Sequence, residues 1–280
     1  MSSHIDHIDG IGGIPLTIHR WPVANPRAIV ILVHGYGEHV GRYQHVAATL
    51  NAHGYTVTGI DHRGHGQSGG RRADVVRFDD FVDDLHSLVE RIRQDDPDPP
   101  RFVLGHSLGG LIATRYAILH QDKLAGLILS GAAIVVGGST PPLMRRLAPL
   151  VARLAPTFPV MEPSGPGILS RDPEIDRRWD ADPLTYKGKL RARFGHQLQT
   201  AAIDTQTRLD QLTLPLLIMH GASDQLTEPR GSVLVHDRAQ SADKTLILWP
   251  DLRHEIFNEP EQEEVIAFTI RWLDERILAS

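Results

Sequence analysis

The feature that most restricts this chain's fold is a set of short runs that are apolar without alternation. Ala28-Ile-Val-Ile-Leu-Val33, Tyr55-Thr-Val-Thr-Gly-Ile60, Phe102-Val-Leu104, Leu124-Ala-Gly-Leu-Ile-Leu129, Leu216-Leu-Ile-Met219 and Thr245-Leu-Ile-Leu248 read as strands buried on both faces. Such strands need cover above and below, which a parallel sheet obtains from helices. The intervening segments supply it. In Phe78 to Arg93 the residues Phe78, Phe81, Val82, Leu85, Leu88, Val89 and Ile92 share one helical face, while Asp79, Asp80, Asp83, Asp84 and Glu90 are expected to face water. Tyr43, Val46, Ala47 and Leu50 repeat the pattern, and Gly54 follows as a C-terminal stop. Strands alternating with helices predict a doubly wound α/β sheet.

The alternation stops after Ser130 and resumes at Leu214-Pro-Leu-Leu-Ile-Met-His220. The roughly 75 residues between hold paired glycines (Gly137-Gly138), many prolines and no convincing buried strand, and they are too long for a plain loop. They are expected to form a mainly helical cap, residues 131–206, inserted into a core of residues 1–130 and 207–280. The most strongly patterned piece of the insert is a helical stripe of Leu143, Met144, Leu147, Leu150, Val151 and Leu154, with Arg145, Arg146 and Arg153 off it and Pro149 inside it.

Charge and composition narrow the chemistry. The net charge of -5 comes from scattered residues of both signs, so no basic face suggests nucleic acid and a small molecule is the expected partner. With no cysteine, any nucleophile must be Ser, Thr, Asp, Glu or Lys, and disulfides and thiolate zinc sites are excluded. The start of the chain has no apolar signal region and no stretch approaches the ~20 apolar residues of a membrane span. A cytoplasmic protein is expected.

Gly105-His-Ser-Leu-Gly109 lies where a strand ends and the helical segment Leu108 to His120 begins. A serine in so sharp a turn takes a strained backbone, and glycines two places either side remove the Cβ contacts that the turn would otherwise cause. The hydroxyl is pushed out over the sheet, at a helix N-terminus where a developing anion is favoured. The pattern alone is weak. A serine nucleophile also needs a base oriented by a carboxylate, in the chain order Ser, Asp or Glu, His. Asp224 and His254 both fall in loops just past strands, and open α/β sheets gather ligands at the carboxyl ends of strands. Asp224 could instead cap the helix beginning near Pro229, and Asp251 could be the carboxylate, although it lies three residues from His254 in the same loop. Among 16 histidines, His236 within a helix and His196 in the insert are poor rivals for the base, and His106 is expected to be structural. After the first strand, His34-Gly-Tyr-Gly-Glu-His39 can present the backbone N–H of Tyr36, which with the N–H of Leu108 would form an oxyanion hole.

With these motifs in place, the sequence resembles the serine hydrolases of the α/β-hydrolase fold, and more narrowly the monoacylglycerol lipase and lysophospholipase family. The resemblance spans nearly the whole chain and rests on His34-Gly-Tyr-Gly-Glu-His-Val-Gly-Arg-Tyr43, Asp61-His-Arg-Gly-His-Gly-Gln-Ser68, Gly105-His-Ser-Leu-Gly-Gly110 and His254-Glu-Ile-Phe-Asn-Glu259. It implies a mostly parallel sheet flanked by helices, a triad of Ser107, Asp224 and His254, and an acyl tunnel in the cap. It also implies that Glu38 and Arg42 line the pocket for the glycerol part, against the simpler reading that the two pair with each other. Many relatives carry methionine after the nucleophile, where this chain has Leu108. Because the donor there is main chain, catalysis should survive the change.

The reaction implied is hydrolysis of a monoacylglycerol to fatty acid and glycerol through an acyl-enzyme, with no metal or organic cofactor. A lysophospholipase or general carboxylesterase would use the same triad, and a binding protein without catalysis is the reading from another class. Leu143, Met144 and Leu147 are expected to touch substrate, and the arginines beside that stripe suit a mobile lid that makes peripheral contact with a membrane. Acyl-chain length and oligomeric state leave no trace in the sequence.

Overall fold

The computed structural model describes residues 3–136, 142–161 and 165–277, without the side chains of residues 142–145. The chain runs β1 (His4–Gly10), β2 (Ile14–Trp21), β3 (Ala28–Val33), α1 (Gln44–Ala52), β4 (Tyr55–Ile60), α2 (Asp79–Asp95), β5 (Arg101–His106), α3 (Leu108–His120) and β6 (Gly126–Ser130). Next come α4 (Pro142–Leu154), β7 (Pro159–Met161), α5 (Pro173–Ala181), β8 (Leu190–Arg191) and α6 (Ala192–Thr207). It finishes with β9 (Leu216–Gly221), α7 (Pro229–Arg238), β10 (Lys244–Trp249) and α8 (Gln262–Ile277).

Eight strands form one sheet in the order β1-β2-β4-β3-β5-β6-β9-β10. Pairing is parallel from β4 through β10, and antiparallel only at β1/β2 and β2/β4. This is the α/β-hydrolase fold, a mostly parallel sheet flanked by helices. The apolar runs behave as two-faced strands must. In β3, Ile29, Ile31 and Val33 enter one core cluster with Phe81, Leu85 and Leu111, while Ala28, Val30 and Leu32 enter the other with Leu50, Ile270 and Trp272. Strand order reverses around β3, which lies between β4 and β5, so the loops after β3 and β5 open side by side at one sheet edge.

Two differences from the sequence reading have physical causes. The strands β1 and β2 were not anticipated, because β1 is His-Ile-Asp-His-Ile-Asp-Gly, a polar edge strand with no buried run to reveal it, and the buried run of β2, Leu16-Thr-Ile-His19, is broken by two polar residues. Asp80 and Asp84 do not face water. They are buried on α2, where Arg63 Nε donates to Asp84 Oδ2 at 2.6 Å and Arg63 Nη1 to Asp80 Oδ2 at 3.2 Å. Burial that would be costly for a lone carboxylate is tolerated because the guanidinium satisfies it.

After β6 the chain leaves the sheet and returns at β9, the neighbour of β6. The insert adds α5 and α6, whose polar faces gave little periodicity, to the expected α4. Phe194, Ala201 and Ala202 of α6 are buried in the same core cluster as the sheet residues, and the Phe194 ring lies 4.6 Å from that of Tyr36, tilted by 40°. Among the described residues, no helix is long and apolar enough to cross a membrane.

Candidate active site

Between β5 and α3 a single residue makes the turn. Ser107 sits at φ 53° and ψ −118°, a conformation costing an L-residue on the order of 1–3 kcal/mol. The flanking glycines permit it. A Cβ on Gly105 would stand 2.5 Å from Gly109 O and 2.8 Å from Ala113 Cβ, and one on Gly109 would overlap the carbonyl oxygens of Val33 and His34. The elbow is then locked from both ends. Ser107 N–H donates to Ser130 O at 3.0 Å, and Ser107 O accepts from Ala133 N at 3.0 Å and Gly110 N at 2.9 Å.

The loops after β9 and β10 meet at the same edge. A side chain on Gly221 would collide with the carbonyls of Leu252 and Arg253, so glycine there lets the two loops touch. His254 Nδ1 lies 2.7 Å from Asp224 Oδ2, and both side chains are buried, while Asp251 is exposed at φ 62°. Asp224 caps its own loop, accepting from Leu226 N at 2.7 Å and Thr227 N at 3.1 Å, and Glu228 occupies the N-cap of α7. Burial works to raise the Asp224 pKa, but His254 and His220 outweigh it and hold the carboxyl well below the usual range. For His254, burial disfavours the cation, yet the charge and hydrogen bond of Asp224, with Glu255 and Glu38 beyond, raise its pKa. His106 packs its ring 4.7 Å from His254, and burial followed by that neighbour pushes its imidazole down to about 3. It donates or accepts at Ser130 Oγ, 3.2 Å away.

Ser107, His254, Tyr36, Glu38 and Leu108 line one cavity of about 1330 Å³. A Cβ on Gly35 would stand 3.2 Å from Ser107 Cβ, so the loop after β3 passes directly beside the serine. Among the described residues the N–H groups of Tyr36 and Leu108 have no hydrogen-bond partner. Glu38 is fixed by Gly35 N at 2.6 Å, Tyr43 Oη at 2.8 Å and Arg42 Nη1 at 2.6 Å. Arg42 forks onto Glu255 at 2.7 and 2.8 Å and lies 4.8 Å from the Trp179 ring of α5. Glu38 and Arg42 therefore do pair. Glu38 and Glu255 line the cavity, whereas Arg42 stands behind them.

The His254 loop is also sewn to the insert. Arg253 Nη1 donates to Gly167 O and Ser170 O, Glu255 N to Leu169 O at 2.8 Å, and Ser170 Oγ to Asn258 O at 2.9 Å. Glu259, fully buried, accepts from Arg253 N at 2.6 Å and Arg171 N at 3.0 Å.

The family model described as serine aminopeptidase, S33, matches residues 24–261, which contain every element of this edge. A monoacylglycerol lipase of Mycolicibacterium smegmatis is 40% identical over 265 residues, 94% of each chain. The chain belongs to the monoacylglycerol lipase family of α/β-hydrolases. Human monoglyceride lipase is 32% identical over 97% of this chain and 91% of its own. Among solved structures, the monoacylglycerol lipase of Paleococcus ferrophilus is 31% identical with a TM-score of 0.82, covering 92% of this chain and 99% of its own. A soluble variant of Saccharomyces cerevisiae monoglyceride lipase in complex with a substrate analog is 26% identical, with a TM-score of 0.88 over 99% and 96%. As a member of the monoacylglycerol lipase family, the protein is a carboxylic ester hydrolase.

The lipase-family edge brings together Ser107, Asp224, His254, Tyr36, Leu108 and Glu38. Leu147 lines the cavity, while the side chains of Leu143 and Met144 lie outside the described residues. Glu255, Trp179, His220 and Thr227 were missed. Glu255 had a signal, being the residue after the candidate base; His220 and Thr227 lie four and three residues from Asp224, and only Trp179 reaches its partner, Arg42, from far along the chain. Among the described residues no three His, Asp or Glu side chains gather as they would to hold a metal.

Proposed function

We propose that the protein hydrolyses monoacylglycerols to fatty acid and glycerol through an acyl-enzyme on Ser107. His254 takes the Ser107 proton through Nε2 as the hydroxyl attacks the ester carbonyl, then gives it to the departing glycerol oxygen. In the second half it activates water in the same way. Asp224 holds the imidazole with Nδ1–H toward it and stabilises the imidazolium. The N–H groups of Tyr36 and Leu108 receive the oxyanion.

The cavity is the observation that carries this reading. It exceeds the roughly 300–1,000 Å³ of ordinary small-molecule pockets, and it is lined by Leu147, Val151, Phe158, Val160, Leu190 and Leu198 as well as by Ser107 and two anchored carboxylates. One long acyl chain with a small hydroxylated head matches that lining. Glu38 and Glu255 are the acceptors that glycerol hydroxyls would meet, with Arg42 fixing both. Because most of the apolar lining comes from residues 131–206, the insert is read as a cap over the core of residues 1–130 and 207–280. The test is turnover across mono-, di- and triacylglycerols, lysophospholipids and short p-nitrophenyl esters. Monoacylglycerol should have the highest kcat/KM; preference for lysophospholipid would instead make the protein a lysophospholipase.

The cap also carries the proposed membrane contact. Leu147, Leu150, Leu154, Phe158 and Met161 are 46%, 55%, 73%, 56% and 59% exposed, with exposed Arg146 and Arg153 beside them. Apolar side chains ringed by cations suit a helix lying on an anionic lipid surface. Leu150→Ser with Leu154→Ser should lower activity on vesicle-borne monoacylglycerol roughly tenfold or more, since burying each leucine is worth ~1.5–3 kcal/mol. Activity on a soluble short-chain ester and the melting temperature should be unchanged. Equal loss on both substrates would make the stripe part of the tunnel rather than a docking surface.

A further inference from the structure

We infer that His220 is a second imidazole donor to Asp224 and, through it, a positioning residue that sets how strongly the carboxylate holds His254. The inference rests on the triad reading. His220 ends β9 and is fully buried. Its Nε2 lies 3.0 Å from Asp224 Oδ2, and its Nδ1 lies 2.7 Å from Oγ of Ser232 on α7.

Chemistry fixes the tautomer. An ionised carboxylate only accepts, so Nε2 carries the proton, and in the neutral ring Nδ1 accepts from the Ser232 hydroxyl. The result is a mirrored arrangement about one oxygen. Oδ2 receives Nδ1–H of His254 at 2.7 Å on one side and lies 3.0 Å from His220 Nε2 on the other, whose N–H it shares with the carbonyl oxygen of Thr227 at 3.3 Å. Thr227 Oγ1 stands between them, 2.8 Å from Asp224 Oδ2 and 2.9 Å from Gly131 O. Ser232 is buried and does not line the cavity, so this second serine–histidine arm has no route to substrate.

Two effects follow. The second donor pins the carboxylate in the plane that His254 needs, and it draws off part of the charge that would otherwise raise the His254 pKa further. The other groups facing His254 come from separate elements: His106 at the end of β5, Glu38 with Arg42 from the segment after β3, and Glu255 beside it. Replacing His220 alters none of them directly. A residue that merely filled space would affect stability and leave the titration of the base alone.

The test uses the full chain with His220→Gln, whose amide can place a donor near Nε2, and His220→Met, which fills similar volume without one. Melting temperature and the pH dependence of kcat/KM on a soluble ester are measured for each. His220→Met should move the acidic limb up by about half a pH unit and lower kcat about tenfold, while His220→Gln should restore the wild-type limb. An unshifted limb in a folded His220→Met protein overturns the inference. Should that variant not fold, ¹⁵N-histidine NMR of the wild type, assigned with His220→Gln, decides: a neutral Nε2–H tautomer supports it, and an Nδ1–H tautomer or an imidazolium at pH 7 overturns it. Labelling of Ser107 by a fluorophosphonate in the wild type tests the triad independently.

Discussion

Ser107→Ala should reduce ester hydrolysis by on the order of 10⁴- to 10⁶-fold while leaving a folded protein, because the substitution removes the nucleophile and nothing that packs. Its melting temperature should be little changed, since Ser107 Oγ makes no hydrogen bond among the described residues and the strained backbone at φ 53° remains. His254→Ala should be nearly as inactive, and combining the two should add little. Asp224→Asn is expected to act differently. Without the carboxylate, His254 loses the charge that opposes its burial, so its pKa falls and the acidic limb of kcat/KM moves to lower pH even as kcat drops about 10⁴-fold. The sign is set by the base acting only when neutral: a raised pKa in the wild type delays activity to higher pH, and removing its cause reverses that. Rates in the variants, a fluorophosphonate probe and thermal melts check these outcomes. Turnover by Ser107→Ala near that of the wild type would end the serine mechanism.

Arg42→Met should be the most destabilising single change near the site that leaves the triad intact. Arg42 bridges two buried carboxylates, Glu38 at 3% and Glu255 at 4% exposure. Removing one partner of a buried ionic group costs about 3–5 kcal/mol, or roughly 6–20 °C in melting temperature for a chain of this size. Arg42→Lys should recover only part, because an ammonium cannot fork onto both carboxylates. Adding Glu38→Gln and Glu255→Gln to Arg42→Met should recover more by removing the orphaned charge. Activity separates support from recognition. If the cluster also holds glycerol, the folded Arg42→Lys protein should lose more activity on monoacylglycerol than on a p-nitrophenyl ester of the same acyl chain. Equal losses would confine Arg42 to supporting the loop.

What could be read from the sequence was whatever is encoded within a few neighbouring residues. The strand at Ala28–Val33 announces itself because both its faces are apolar, and the elbow because Gly105 and Gly109 are needed within two residues of Ser107. What escaped depends on partners far along the chain. Asp80 and Asp84 look like ordinary solvent-facing helix residues until Arg63 arrives from another loop. Trp179 sits in the polar run Arg-Arg-Trp-Asp, and its place over Arg42 spans more than a hundred residues. His220 is the exception: Asp224 is only four residues away, but the residue reads as the polar end of an apolar strand until the turn after β9 sets the two side by side. The strand β1 was invisible because its residues are largely polar and only Gly10 is buried.

The stitching of the His254 loop to residues 167–171 bears on how this protein can be recombined with its relatives. Substrate range in such a chain invites exchange of the insert as a cassette cut at residues 131 and 206. Those cut points sever a partnership: Arg253, Glu255 and Glu259 would meet foreign backbone where Gly167, Leu169, Ser170 and Arg171 now stand. Glu259 would keep its buried charge and lose the donors that Ser170 and Arg171 now supply. A working chimera therefore needs a discontinuous graft, in which residues 253–259 travel with the insert although some fifty residues of core separate them.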